Sequence, residues 1–113
     1  MKQIIAIIQP HRLEMVEQAL HGMSHLPGFT LFPARGHARG HGAQHTFTAD
    51  EWNPDTHEHI VLLMFCPDDI TQDAVEAIRA ASHTGNPGDG LIAVTALEEI
   101  VRIHSGERGD AAL

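Results

Sequence analysis

Histidine is the residue that first draws attention, with ten among 113 positions. His37, His41 and His45 recur at four-residue spacing, but Gly36, Gly40 and Gly42 between them disfavour a helix. His57 and His59 sit two apart at the entrance to an apolar run, so on a strand their rings point the same way. Neutral imidazoles suit Zn, Cu, Ni or Co, which makes His41, His45, His57 and His59 a candidate metal set, with Asp50, Glu51, Asp55 and Glu58 nearby. A solvated polar loop whose histidines titrate near neutrality accounts for the same pattern. His11, His21, His25 and His83 fall at helix ends and read as structural or surface residues. Gly88-Asp89-Gly90 is a second chemical feature, because glycine carries no Cβ and lets backbone N–H groups approach a phosphate closely. The same tripeptide also serves as a plain turn. Arg102 and His104 alternate on an expected strand and share a face, so both can reach an anion. His104 and Ser105, being adjacent, face opposite ways there and cannot pair as base and nucleophile. Cys66 has no identifiable base, and no acid–base pair stands out, so an enzyme is not expected.

These residues need elements to hold them. A chain of this length has room for one domain, 1–113, with one modest core. Seven Lys and Arg against fifteen Asp and Glu give a net charge of −8, which argues against a nucleic-acid or anionic-membrane binder. No apolar stretch reaches the roughly 18 residues of a membrane span. The N-terminal run lacks a signal-peptide pattern, and a single Cys66 suits a reducing cytoplasm. Residues 2–8 and 60–66 read as buried strands, 29–34 and 91–95 as further strands, and 100–103 as a short final one. Helices are expected over 11–21, ended by Gly22, and over about 70–83, capped by Asp68 or Asp69 and followed by Gly85. The stretch 35–57 has no apolar period and reads as a long loop. The order β-α-β-β-α-β is that of an α+β, ferredoxin-like fold with an antiparallel sheet. Ile4–Ile8 and Ile60–Cys66 are apolar on both faces, yet two helices cover only one face of such a sheet. The other face is expected to pack against copies of the chain.

At this point the sequence resembles the PII family of nitrogen-regulatory signalling proteins. The resemblance rests on Met1-Lys2-Gln3-Ile4-Ile5-Ala6-Ile7-Ile8-Gln9-Pro10, on Leu13–Leu20, on Pro67-Asp68-Asp69, on Thr84–Gly90 and on Val101–Glu107, in the family's order. It covers essentially the whole chain, with about one inserted residue near Leu26-Pro27. It implies a homotrimer with nucleotide sites in the clefts between subunits and a long T-loop, here about 36–58, that touches a regulated partner: a transporter, an efflux component or an enzyme. By this resemblance the nucleotide site comprises Ile7, Thr30, Arg39, Met64, Gly88, Asp89, Gly90, Arg102 and His104. Ile7, Thr30 and Met64 fall at the base pocket, where Ile7 and Met64 read equally as core. Arg39 completes the phosphate clamp from a neighbouring subunit.

The departures carry information too. Leu91 stands where the family has a Lys or Arg, Asn86 where it often has Lys, and His104 where it has a second Arg. A charge-assisted contact is worth roughly 1.5–3 kcal/mol, about ten- to a hundredfold in affinity. The expected ligand is therefore an adenine nucleotide of lower charge, ADP or AMP, with ATP weaker. Trp52 replaces the modified tyrosine of enteric relatives, and Gly40 and His59 replace the Gln and Lys used with 2-oxoglutarate. That argues against an ordinary 2-oxoglutarate sensor. Some divergent PII-like proteins accompany heavy-metal efflux systems, so a histidine-rich, metal-binding member with a divalent transition metal is the second expectation.

Overall fold

The computed structural model describes residues 1–37 and 56–113. Strand β1 (Lys2–Ile8) leads through a 3₁₀ turn (Pro10–Arg12) into helix α1 (Leu13–His21). Strands β2 (Phe29–His37) and β3 (Thr56–Cys66), helix α2 (Asp68–Ser82), strand β4 (Gly90–Ala96) and a second 3₁₀ turn (Gly109–Ala112) follow. The four strands form one antiparallel sheet in the order β2-β3-β1-β4. This is the expected βαββαβ arrangement.

The β-branched run of β1 explains its central place. Ile4, Ala6 and Ile8 alternate onto one face and are fully buried, opposite Met64, Leu62 and Ile60 of β3. Val16 and Leu20 of α1 stand one turn apart, and Ala74 and Ile78 of α2 likewise, so both helices lay an apolar stripe on that same face. Ile5 and Ile7, with Leu63 and Phe65, turn to the other face, which carries no helix among the described residues. Phe32, Phe65 and Leu91 expose 45%, 39% and 59% of their surface there. β2 is an edge strand, and Pro33 within it, opposite Ile60, has no N–H for a ladder.

Several expectations need correction. Both middle strands are longer than read: Arg35, Gly36 and His37 pair with Glu58, His57 and Thr56, so the ends of the 36–58 segment are ladder and not loop. Residues 100–103 form no strand. Val101 and Arg108 make an isolated bridge, Arg102 N–H donates to the Glu107 carbonyl and Gly106 N–H to the Arg102 carbonyl, so the segment folds on itself as a tight turn. Gly22 does end helix α1, as its C-cap, but with helical angles (φ −76°), and the left-handed residue of that connection is His25 (φ 57°). Helix α2 begins at Asp68, after Pro67 as its N-cap, and no side chain caps it. The Asp68 carboxylate instead lies 2.7 Å from the Met1 ammonium and 3.3 Å from Lys2 Nζ. These partners, the ammonium first, hold its carboxyl below the ordinary carboxylate value.

The tightest packing constraint lies where β4 starts. A Cβ on Gly90 would stand 1.8 Å from the Ile7 carbonyl oxygen, at a backbone φ of 110°. Gly90→Ala is therefore expected to cost about 3 kcal/mol or more, since main chain must move. Thermal unfolding of the variant against wild type checks this, and an unchanged midpoint would contradict the close approach.

Candidate functional site

The segment from Thr84 to Gly90, between α2 and β4, is held as a compact loop by one carboxylate. Asp89 Oδ2 accepts from Thr84 N–H at 2.8 Å and Gly85 N–H at 3.2 Å, and Oδ1 accepts from the Thr84 hydroxyl. Thr84 Oγ1 in turn accepts from Asn86 N–H at 3.2 Å. Gly88 takes a φ of 92°, and its carbonyl accepts from Gln9 Nε2 at 2.8 Å, which ties the loop to the end of β1. His83 Nδ1 lies 3.5 Å from Asp89 Oδ2. The Thr84 hydroxyl first, then its N–H, hold the Asp89 carboxyl below the ordinary carboxylate value; partial burial opposes them, and Gly85 N–H and the His83 ring add to the lowering.

An open cleft of about 200 Å³ borders this loop, lined among others by Ile7, Ser82, His83, Asp89, Gly90 and Leu91. Of the expected nucleotide residues, Ile7, Gly88, Asp89 and Gly90 are thus brought together at one end of β1 and β4. The Asp89 carboxylate points into the loop and shapes it. Thr30 lies on the same sheet face as Ile7 but at the far edge, two strands away. Met64 is fully buried on the opposite, helix-covered face. It is core, and it does not share a surface with Ile7 and Thr30.

Arg102 and His104 are exposed in the turn that follows Val101, so the argument from a shared strand face fails for them. The strand argument that separated His104 from Ser105 lapses with it. Both side chains nonetheless project from one short turn whose tip, Ile103, is 99% exposed. Arg39, His41 and His45 lie outside the described residues, as do Gly40 and Trp52. His57 and His59 are described: their ring centroids are 6.5 Å apart, and His59 Nδ1 stands 3.2 Å from the His57 carbonyl, which can only accept. Two imidazoles fall short of the four ligands of a structural zinc site. Among the described residues no group of three or more His, Cys, Asp or Glu could hold a metal ion. Cys66 is buried, with Sγ 3.3 Å from the Thr71 hydroxyl.

Sequence reasoning missed Gln9, Thr84 and His83. Thr84 and Asp89 enclose the loop at a spacing of five, a signal that a side-chain-capped turn can leave. His83 reads from sequence as a helix-end residue, and nothing in its neighbours announces Asp89.

Residues 1–107 match the family described as Nitrogen regulatory protein P-II. The chain belongs to the P-II family. It is 39% identical to a Nitrogen regulatory protein P-II of Azospirillum brasilense over 113 residues, the full length of both chains. A Nitrogen regulatory protein P-II of Rhodospirillum rubrum is 39% identical, again over the full length of both. Nitrogen regulatory protein P-II 1 of Escherichia coli K12 is 34% identical over all of both chains. Like the P-II family as a whole, the chain is a signalling regulator and not an enzyme. No helix among the described residues is long and apolar enough to cross a membrane.

The carboxylate at the centre of the P-II loop gives a pH prediction. A carboxyl titrates near pH ~3.9 when unfolded, and that of Asp89 is lowered in the fold. Its stabilising contribution is complete above the unfolded value and is lost as pH falls through the lowered folded one. Urea unfolding between pH 6 and pH 3 should show Asp89→Asn less stable at pH 6 and losing less on acidification. Parallel wild-type and variant curves would contradict this.

Proposed function

We propose that this P-II chain is a homotrimeric signalling protein that binds an adenine nucleotide in clefts between subunits. Binding is read out by a regulated protein through the segment 36–58. The observation that carries the reading is the loop 84–90, whose backbone is folded around Asp89 with Gly88 and Gly90 in left-handed conformations beside the cleft. Such a loop suits phosphate oxygens, which accept from main-chain N–H groups that no Cβ shields. Ile7 supplies an apolar wall beside it. The apolar, helix-free face favours association of copies, because Phe32, Phe65 and Leu91 lie open to water on one chain.

Each proposed residue has a role in that cleft. Arg102 and His104, from the turn after Val101, and Arg39, from a neighbouring subunit, supply positive charge to the phosphates. Gly88 and Gly90 supply backbone donors, and Thr30 contributes to the base pocket. Leu91 and Asn86 bring no cation to the loop, so the reading favours ADP or AMP over ATP. The partner is a transporter, an efflux component or an enzyme that recognises the loop conformation set by the bound ligand. The cytoplasm is the compartment where such a nucleotide is abundant.

Two experiments test this. Calorimetric titration with AMP, ADP and ATP should give binding of ADP at least as tight as ATP, and Arg102→Ala should weaken it about ten- to a hundredfold. Absence of binding by all three nucleotides would overturn the reading. Sedimentation at micromolar concentration should give a particle of three 12.3 kDa chains. A stable monomer would remove the shared cleft.

A further inference from the structure

The loop 84–90 contains an electrostatic conflict. Its Thr84 and Gly85 N–H groups already meet an anion, the Asp89 carboxylate, whose charge opposes the phosphate proposed for this cleft. Asn86 and Leu91 contribute no positive charge on either side. The cationic groups that share the cleft with Asp89 are Arg79 and His83, both from the end of α2. Arg79 is committed elsewhere: its guanidinium Nε lies 3.0 Å from both carboxylate oxygens of Glu76. The residues that β1 and β4 present to the cleft, Ile7, Ile8, Leu91 and Ile92, carry no charge. Among the described residues that line the cleft, the counter-charge left for Asp89 is His83, whose Nδ1 stands 3.5 Å from the same Oδ2 that accepts from Thr84 and Gly85.

From this arrangement we infer that His83 makes anion binding at the 84–90 loop proton-coupled, its imidazolium neutralising Asp89 so that a nucleotide phosphate binds more tightly as pH falls. The inference rests on the nucleotide reading above and adds a regulator to it. An imidazole in water takes up its proton between about pH 6 and 7. With the proton on, His83 faces Asp89 as a cation and cancels the charge that repels phosphate. With the proton off, the Asp89 charge is no longer balanced within the loop and offsets part of the attraction that Arg102, His104 and Arg39 exert on the phosphates. His83 also follows the last residue of α2, where the helix carbonyls favour a positive charge. His83 is a positioning and charge-balancing residue here, and the donors to the phosphate remain the backbone N–H groups.

The test is calorimetric titration of ADP into wild type, His83→Gln and His83→Lys at pH 6.0 and 8.0, at one low ionic strength. ADP changes its own protonation over this range, and the Gln variant, which cannot gain a charge at residue 83, carries every pH-dependent contribution other than that of His83, that of His104 included. The ratio of affinities between pH 6.0 and 8.0 should be about three- to fivefold larger in wild type than in His83→Gln, the size expected for an exposed ion pair. His83→Lys, charged at both values, should bind ADP at pH 8.0 more tightly than wild type or His83→Gln does at that pH, and show the shallow slope of the Gln variant. Repeating the wild-type titration at pH 7 in two buffers of different ionisation enthalpy should show proton uptake that His83→Gln reduces. Tight binding with superimposed pH profiles in wild type and His83→Gln overturns this inference and leaves the nucleotide reading standing. Failure of ADP to bind at either pH removes both.

Discussion

Everything in this chain is referred to the backbone ladder of β1. It pairs with β3 along one side and with β4 along the other, residue for residue from Lys2 to Ile8. Its alternate side chains do two different things: Ile4, Ala6 and Ile8 close the core under the helices, while Ile5 and Ile7 face the uncovered side. Its last residues set the loop of the candidate site, since Gly90 packs on the Ile7 carbonyl and Gln9 holds the Gly88 carbonyl. A shift of one residue in that register would invert the core and dismantle the loop together.

Much of this was legible in the sequence. The β-branched runs, the helical spacing of Val16 and Leu20, and the turn residues between them suffice for the order βαββαβ. The face assignment of individual apolar residues was not legible where both faces of a strand are apolar. Met64 and Ile7 looked interchangeable for that reason, and only the register separates the core residue from the cleft residue. Residues 100–103 misled for a related reason. Ile-Val-Arg-Ile has strand chemistry, but a strand needs a partner edge, and here the backbone of Arg102 finds its partner in Glu107 across a turn closed at Gly106. Propensity yielded to a local hydrogen bond.

The candidate site was legible in its glycines and not in its side-chain hydrogen bonds. Gly88 and Gly90 are marked by composition, because Gly88 holds a φ that side chains disfavour and a Cβ on Gly90 would meet the Ile7 carbonyl. The direction of the Asp89 carboxylate depends on Thr84, five residues away, and on the exact closure of the loop. The partnership of His83 with Asp89 follows from the same closure. Pattern reading sees such residues one at a time, whereas their chemistry arises from the pair.

Pro33 has a consequence for how copies of this chain can meet. An edge strand with a full row of N–H and C=O groups invites another strand to extend the sheet, and such growth has no natural end. β2 is such an edge, and Pro33 interrupts its row of donors. The apolar area available for contact lies instead on the flat of the sheet, with Phe32 and Phe65. Contact through a flat face consumes the surface that makes it, so each copy that joins leaves less to offer the next. At the β2 edge, Pro33 thereby disfavours strand-to-strand growth and leaves the flat of the sheet as the surface through which copies attract one another.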